Sequence, residues 1–196
     1  MHDAANRTEL YLAAATSFSG GDALSCFESV LNRYQPAAFR VDFDGEAQIR
    51  QQVEMIQAHC LQTNIALMLK DWPEGVASLG CDGVHISNAS NPVDMLRKRL
   101  PADTQLGVSC GESGDAAMQA GEAGADYIAI NANQTDLAAW WMEMTELPLV
   151  CENIETADEV EALTRLGVDF LFLRLDFNAP FATLCAQLSA LGIQGR

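Results

Sequence analysis

Lysine is scarce in this chain. Only Lys70 and Lys98 occur, beside nine arginines, and the acidic residues outnumber both so far that the formal net charge is −16 over 196 residues. Such a surface repels nucleic acid and anionic membranes, so neither is expected as a partner. It also disfavours phosphorylated ligands unless a local basic pocket overrides it. No apolar run reaches the ~18 residues of a transmembrane helix. The N-terminal "MHDAANRTELYL" lacks the basic region and apolar stretch of a secretory leader, so a cytoplasmic enzyme or binding domain is expected. The six cysteines (Cys26, Cys60, Cys81, Cys110, Cys151 and Cys185) never form C-x-x-C. Zinc-ligand spacing is therefore missing, and free buried thiols are expected. Neither G-x-G-x-x-G nor G-x-x-x-x-G-K-[ST] occurs, which argues against the common nucleotide-binding turns.

Against these absences stands a repeat. "LGCDGVHI" at 79–86 returns as "AGADYIAI" at 123–130 and as "LGVDFLFL" at 166–173. Gly80, Gly124 and Gly167 lie 44 and 43 residues apart, and Asp82, Asp126 and Asp169 each follow two positions later. Each glycine suits the left-handed position that ends a helix. Each following apolar run suits a strand buried on both faces. An interval of this length fits two strand–helix units.

Filling the intervals predicts strands at 10–14, 38–43, 65–69, 83–86, 105–109, 127–130, 147–151 and 170–174. Helical patterns lie between them, as in "GEAQIRQQVEMIQAHCLQT", where Ile49, Val53, Ile56 and Cys60 recur at helical spacing. Eight alternating strand–helix units imply a parallel sheet closed as one (β/α)8 TIM barrel, a single domain over 1–196. A doubly wound open sheet is the rival.

In such a barrel the site lies at the C-terminal strand ends. Those ends carry Arg40, Asp42 and Asp44; Lys70 and Asp71; His85, Ser87 and Asn88; Ser109 and Cys110; Asn131 and Asn133; Glu152 and Asn153; Arg174 and Asp176. Arg40, inside an apolar strand, either binds a substrate anion or pairs with Asp42 or Asp71. Asp71 is either a hard-metal ligand or a loop cap. His85 either hydrogen-bonds inside the barrel or acts as an acid. Ser109 either donates to a phosphate or caps its loop. The acids Asp42, Asp44, Asp71, Glu152 and Asp176 suggest an acidic lining that favours a cationic ligand. Trp140 and Trp141 are expected to pack on the barrel or on a partner subunit. Phosphate-binding barrels use glycine-rich loops after strands seven and eight. Here "VCENIETADE" and "FLRLDFNAP" hold no glycine, and Glu152 puts negative charge where the anion belongs.

"CDGVHIS", "LGVSCG" and "AGEAGADYIAI", in this order, resemble the thiamine phosphate synthase and thiazole tautomerase family across about residues 9–178. "AWWMEMTELPLV" and "DEVEAL" look like a diverged branch of it. The resemblance implies transfer of a pyrimidine from its pyrophosphate to a thiazole phosphate, with Mg²⁺. It implies roles for Arg40 and Ser109 at the substrate and for Asp71 on the metal. Taken with the strand-end positions, the candidate catalytic groups are Arg40, His85 and Ser109, and the candidate substrate-binding groups are Arg40, Lys70, Ser109, Asn131 and Glu152. The chain departs from the family motifs in several places. Q-x-R-x-K reads Ala38, Arg40, Asp42, and Asn-Asp reads Lys70-Asp71. The second metal aspartate falls near Ser90, the histidine after G-x-S falls near Gly111, the T-x-T-K loop is absent from "INANQTD", and Gly-Gly reads Glu152-Asn153. The expectation is the family fold with weak or lost synthase activity and a small-molecule ligand, thiamine-related or other. An active synthase with a rearranged site, an enzyme of another reaction using Asp71 or Glu152 as base and His85 as acid, and a non-enzymatic, homodimeric interaction subunit remain open.

Overall fold

The structure, a computed structural model, describes residues 8–42, 45–89 and 92–195. Strands and helices alternate throughout. In order they are β1 (Glu9–Ala14), α1 (Gly21–Tyr34), β2 (Ala38–Val41), α2 (Glu46–Thr63), β3 (Ala66–Lys70) and α3 (Pro73–Leu79). Next come β4 (Gly83–Ile86), α4 (Val93–Arg99), β5 (Gln105–Gly111), α5 (Gly114–Glu122) and β6 (Tyr127–Asn131). The chain finishes with α6 (Thr135–Met144), β7 (Leu149–Glu152), α7 (Ala157–Leu166), β8 (Phe170–Leu175) and α8 (Phe181–Ala190). The strands close into one barrel in chain order, every neighbouring pair parallel. The (β/α)8 barrel expected from the sequence is the architecture, and no open sheet forms.

The repeated glycine–aspartate sentence marks the N-terminal end of each even strand from β4 onward. Gly80, Gly124 and Gly167 all have positive φ. The three aspartates do something the sequence did not suggest. Asp82 Oδ2 accepts from Leu67 N on β3 at 2.7 Å. Asp126 Oδ2 accepts from Leu106 N on β5 at 2.7 Å, and Asp169 Oδ2 from Leu149 N on β7 at 2.9 Å. Each carboxylate thus pins its strand to the one before it, which sets register. Hydrogen bonds to a charged acceptor contribute about 1.5–3 kcal/mol. Asp82→Ala is therefore expected to lower Tm by about 3–12 °C, and Asp82→Asn by less, in a thermal melt followed by circular dichroism.

Two apolar layers result from strand alternation. Tyr11, Ala13, Met68, Tyr127, Ala129, Val150 and Phe172 point inward and fill the barrel. The opposite faces pack against the helices around Phe27, Phe39, Phe177 and Trp141. Trp141 is buried and donates Nε1–H to Leu147 O, whereas its neighbour Trp140 is exposed. All six cysteines are free, and Cys81 and Cys185 are only partly buried, a correction to the expectation of six buried thiols. No helix among the described residues is long and apolar enough to cross a membrane.

Strand limits differ from expectation where they matter to the site. β3 runs one residue further, to Lys70, and β7 begins after Pro148 and ends on Glu152. Pro148 has no N–H for the ladder, which explains the later start. Both shifts place a charged side chain on a strand instead of a loop.

Candidate active site

Inward-facing polar groups join into one network that rises from Tyr11 and Tyr127, near the strand starts, to Ser109 and Glu152 near the C-terminal strand ends. Tyr11 Oη lies 3.1 Å from Tyr127 Oη. Tyr127 Oη lies 3.1 Å from His85 Nδ1, and His85 Nε2 lies 2.8 Å from Ser109 Oγ. Ser109 donates its hydroxyl to Glu152 Oε1 at 2.6 Å. That last bond orients the rest, since a carboxylate can only accept. Ser109 Oγ must then accept from His85 Nε2–H, His85 Nδ1 must accept from Tyr127, and Tyr127 accepts from Tyr11. Protons point one way, from Tyr11 toward Glu152.

Burial sets the protonation states. His85 is completely buried, and its imidazole titrates well below the usual value because of burial first and then the charges of Arg40, Lys70 and Arg174. Burial likewise pushes Tyr11 up to about 12 and Tyr127 well above a normal phenol. All three are neutral near pH 7. A histidine held neutral when folded takes up a proton at ordinary pH only when unfolded. Its contribution is intact above pH ~6.5 and is lost as pH falls below that value, by up to about 1.4 kcal/mol per pH unit. His85→Gln can donate to Ser109 and accept from Tyr127 without titrating. The fall in Tm between pH 6.5 and 5 is expected to be shallower in this variant than in the parent.

A second, charged cluster adjoins the first. Arg40 is 2% exposed. Its Nε donates to Asp42 Oδ1 at 2.5 Å and its Nη2 to Asp42 Oδ2 at 3.0 Å. The guanidinium also lies 4.0 Å from the Phe172 ring centroid and 3.9 Å from Glu152 Oε2. Arg174, from β8, donates to Asp42 Oδ2 at 2.6 Å. One buried carboxylate therefore serves two guanidinium groups.

Above both clusters opens a cavity of about 550 Å³, into which Arg40, Lys70, Ser109, Glu152 and Arg174 project. These are strand-end residues, and the barrel brings them together from five different strands. The other expected site residues lie elsewhere. His85 does not line the cavity and reaches it only through Ser109, which leaves a direct acid role without access. Asp71 has positive φ, and its two oxygens accept from Ser87 N at 2.8 Å and Ser87 Oγ at 2.5 Å. Asn131 Oδ1 accepts from Asn153 Nδ2 at 2.7 Å, and Asn131 is absent from the cavity wall. Asp44 and Ser90 lie outside the described residues.

The acidic lining expected from the sequence is not what the structure shows. Asp176 turns away, accepting from Thr16 Oγ1 and Asn178 N. Asp42 is covered by its two arginines, and Asp71 is held by Ser87. Of the four acids among the described residues, only Glu152 lines the cavity, with Glu155 added from the next loop. Against them stand Arg40, Lys70 and Arg174. Tyr11, Tyr127 and Phe172 were passed over in reading the sequence. The signal available for them was strand parity, which places each two residues from another inward position.

Mg²⁺ needs an octahedral oxygen set, often one or two carboxylates completed by substrate phosphates and water. Among the described residues no group of three or more His, Cys, Asp or Glu side chains could hold a metal, and Asp71 stands as a single, already bonded carboxylate. The described residues do not by themselves form a resident metal site.

Comparison with known proteins agrees with the fold. Residues 10–177 match the TMP-TENI family, described as thiamine monophosphate synthase. The thiamine-phosphate synthase of Rhodospirillum centenum is 34% identical over 142 residues, covering 66% of this chain and 68% of that protein. That of Erythrobacter litoralis is 30% identical over 184 residues, covering 84% and 85%. Among solved structures, a thiamine phosphate pyrophosphorylase from Pyrococcus furiosus superposes with TM-score 0.72 at 15% identity, covering 86% of each chain. With the family match running from β1 to just beyond β8, the chain belongs to the thiamine monophosphate synthase family.

Proposed function

We propose that this family member has lost most or all of the synthase reaction and binds a small molecule, thiamine-related or other, at the C-terminal barrel face. One observation carries the reading: the backbone groups that would hold a phosphate after β7 are already taken from within. Thr156 and Glu159 form a capping box at the start of α7. Glu159 Oε2 accepts from Glu155 N at 2.8 Å and from Thr156 N at 2.9 Å. Of these, Thr156 N is one of the free amides of a helix N-terminus that otherwise attract an anion, and a second, Glu159 N, donates to Thr156 Oγ1 at 3.2 Å. The loop after β8 is similarly engaged, Asn178 bonding Thr16, Ser17 and Ser19 of the β1–α1 connection. Arg40, the guanidinium that would meet a pyrophosphate, is neutralised by Asp42.

Losing one preorganised electrostatic donor typically lowers turnover by about 10²–10³-fold. Losing two groups of them predicts synthase turnover at least roughly 10⁴-fold below that of an active relative. The measurement is thiamine phosphate formed from the pyrimidine pyrophosphate and thiazole phosphate with Mg²⁺. Turnover comparable to an active relative's overturns the proposal.

A second reading, residual synthase action through a rearranged site, has one observation in its favour. Lys70 lines the cavity and forms no ion pair among the described residues. On that reading Lys70→Gln removes whatever turnover is found.

A further inference from the structure

The cavity does not stay inside the barrel. Phe172 and Arg174 face inward, where Phe172 packs on Tyr11 and Arg174 reaches Asp42. Leu173 and Leu175 lie on the opposite face of β8 and belong to the layer under the helices. All four line the same cavity, as do Gln187, Leu188 and Leu191 of the α8 region. A single space can touch both faces of β8 only by passing around its edge.

The strand register shows where. β7 and β8 pair at Val150↔Phe170 and Cys151↔Leu171, and no further pair follows, although β8 continues to Leu175. β8 remains paired with β1 up to Ala14↔Leu175. β7 remains with β6 at Asn131↔Glu152, and Ala132 N donates to Glu152 O at 2.7 Å. Asn153 then adopts φ 60°, a left-handed turn that asparagine tolerates, and the chain leaves β8. The wall therefore parts between β7 and β8 above Cys151.

The two ends of this slot differ in chemistry. Toward the barrel axis stand Arg40, Arg174 and Lys70 against Asp42 and Glu152, with Glu155 from the loop after β7; Arg40 and Arg174 both end on Asp42, which leaves Lys70 as the cavity cation with no ion pair among the described residues. Toward the helices the walls are Ile154, Leu173, Leu175, Leu188 and Leu191. We propose that the cavity takes an amphipathic monoanion, its charged head beside Lys70 and Arg174 and its apolar tail passing through the β7–β8 gap onto Leu188 and Leu191. The proposal rests on the reading of this face as the ligand site and names the class of ligand it takes. A carboxylate supplies the head, and a short alkyl chain fits the tail.

The test is a calorimetric series of straight-chain carboxylates at pH 7: acetate, butyrate, hexanoate and octanoate. Each methylene drawn into the slot is expected to tighten binding by up to about four-fold. Octanoate should then bind at least about ten-fold more tightly than butyrate. Octylamine, with the same tail and the opposite charge, should not bind. Lys70→Gln should weaken every member of the series by about ten-fold, the worth of one charge-assisted contact. Gln187 is exposed on α8 and lines the outer end of the slot, so Gln187→Trp fills it without disturbing the core. That variant should bind acetate and butyrate as the parent does and lose the gain at hexanoate and octanoate. A flat chain-length series, a series unaffected by Gln187→Trp, equal binding of octylamine, or no binding of octanoate each overturns the proposal. Vigorous thiamine phosphate formation removes the proposed function and leaves the chain-length series standing.

Discussion

Asp42→Ala is expected to lower stability by about 3–5 kcal/mol, the cost of leaving a buried charge without its partner. In a chain of this size that corresponds to a fall in Tm of roughly 6–20 °C. Both bonds from Arg40 to a carboxylate end on Asp42, and both side chains are 3% exposed. Glu152 cannot take over without rearrangement. Its nearer oxygen to Arg40 is 3.9 Å away, and its other oxygen holds Ser109. The converse change should cost less. In Arg40→Met the carboxylate of Asp42 keeps Arg174, whose side chain is 51% exposed and can adjust. The methionine also retains apolar contact with Phe172. The double variant Arg40→Met/Asp42→Leu removes both buried charges, and it should be more stable than Asp42→Ala alone. Chemical denaturation of the three variants gives the order. If Asp42→Ala proves milder than Arg40→Met, Arg40 does not depend on Asp42 as described.

Gly107→Ala is expected to be the most damaging single-methyl addition in the barrel. β4 and β6 flank this residue, with His85↔Gly107 on one side and Gly107↔Tyr127 on the other. A Cβ here would lie 1.9 Å from Tyr127 Cζ and 2.3 Å from both Cε2 and Oη. The ring cannot swing away freely, since its hydroxyl is held between Tyr11 and His85. Overpacking of this kind typically costs about 1–3 kcal/mol and sometimes more. The upper end, about 3 kcal/mol, is expected because two hydrogen bonds strain along with the packing. A double-mutant cycle checks the cause. Tyr127→Val alone creates a cavity and destabilises, whereas in the Gly107→Ala background it also relieves the clash. The double variant should then lose clearly less than the sum of the two single losses. Additive losses would place the damage of Gly107→Ala somewhere other than against Tyr127.

Both predictions concern groups whose importance is invisible along the chain. Asp42 and Arg174 are 132 positions apart, and His85 and Tyr127 are 42 apart. Reading acids off strand ends suggested an acidic lining. It missed that Asp42 is shared by two arginines and that Asp176 is tied to the first loop. Likewise Ser109 bridges His85 and Glu152, partners 24 and 43 positions away along the chain. A strand end announces that a side chain is near the site. It does not announce the partner that meets it there.

What the sequence determined by itself was the barrel. Helix-ending glycines, aspartates two residues on and apolar runs recur at one interval, and these are local properties of short segments. Backbone sterics and strand burial act over a few residues, so their record is linear, and the repeat survives in the order of the letters. The absence of glycine after β7 was equally legible, as was the substitution of Glu152 and Asn153 there. Tertiary structure alone decided the charge balance of the cavity, the direction of the Tyr11-to-Glu152 network and the parting of β7 from β8. Each depends on which strands become neighbours and where their register stops. Closure of the barrel sets both, through contacts between residues that no local pattern connects.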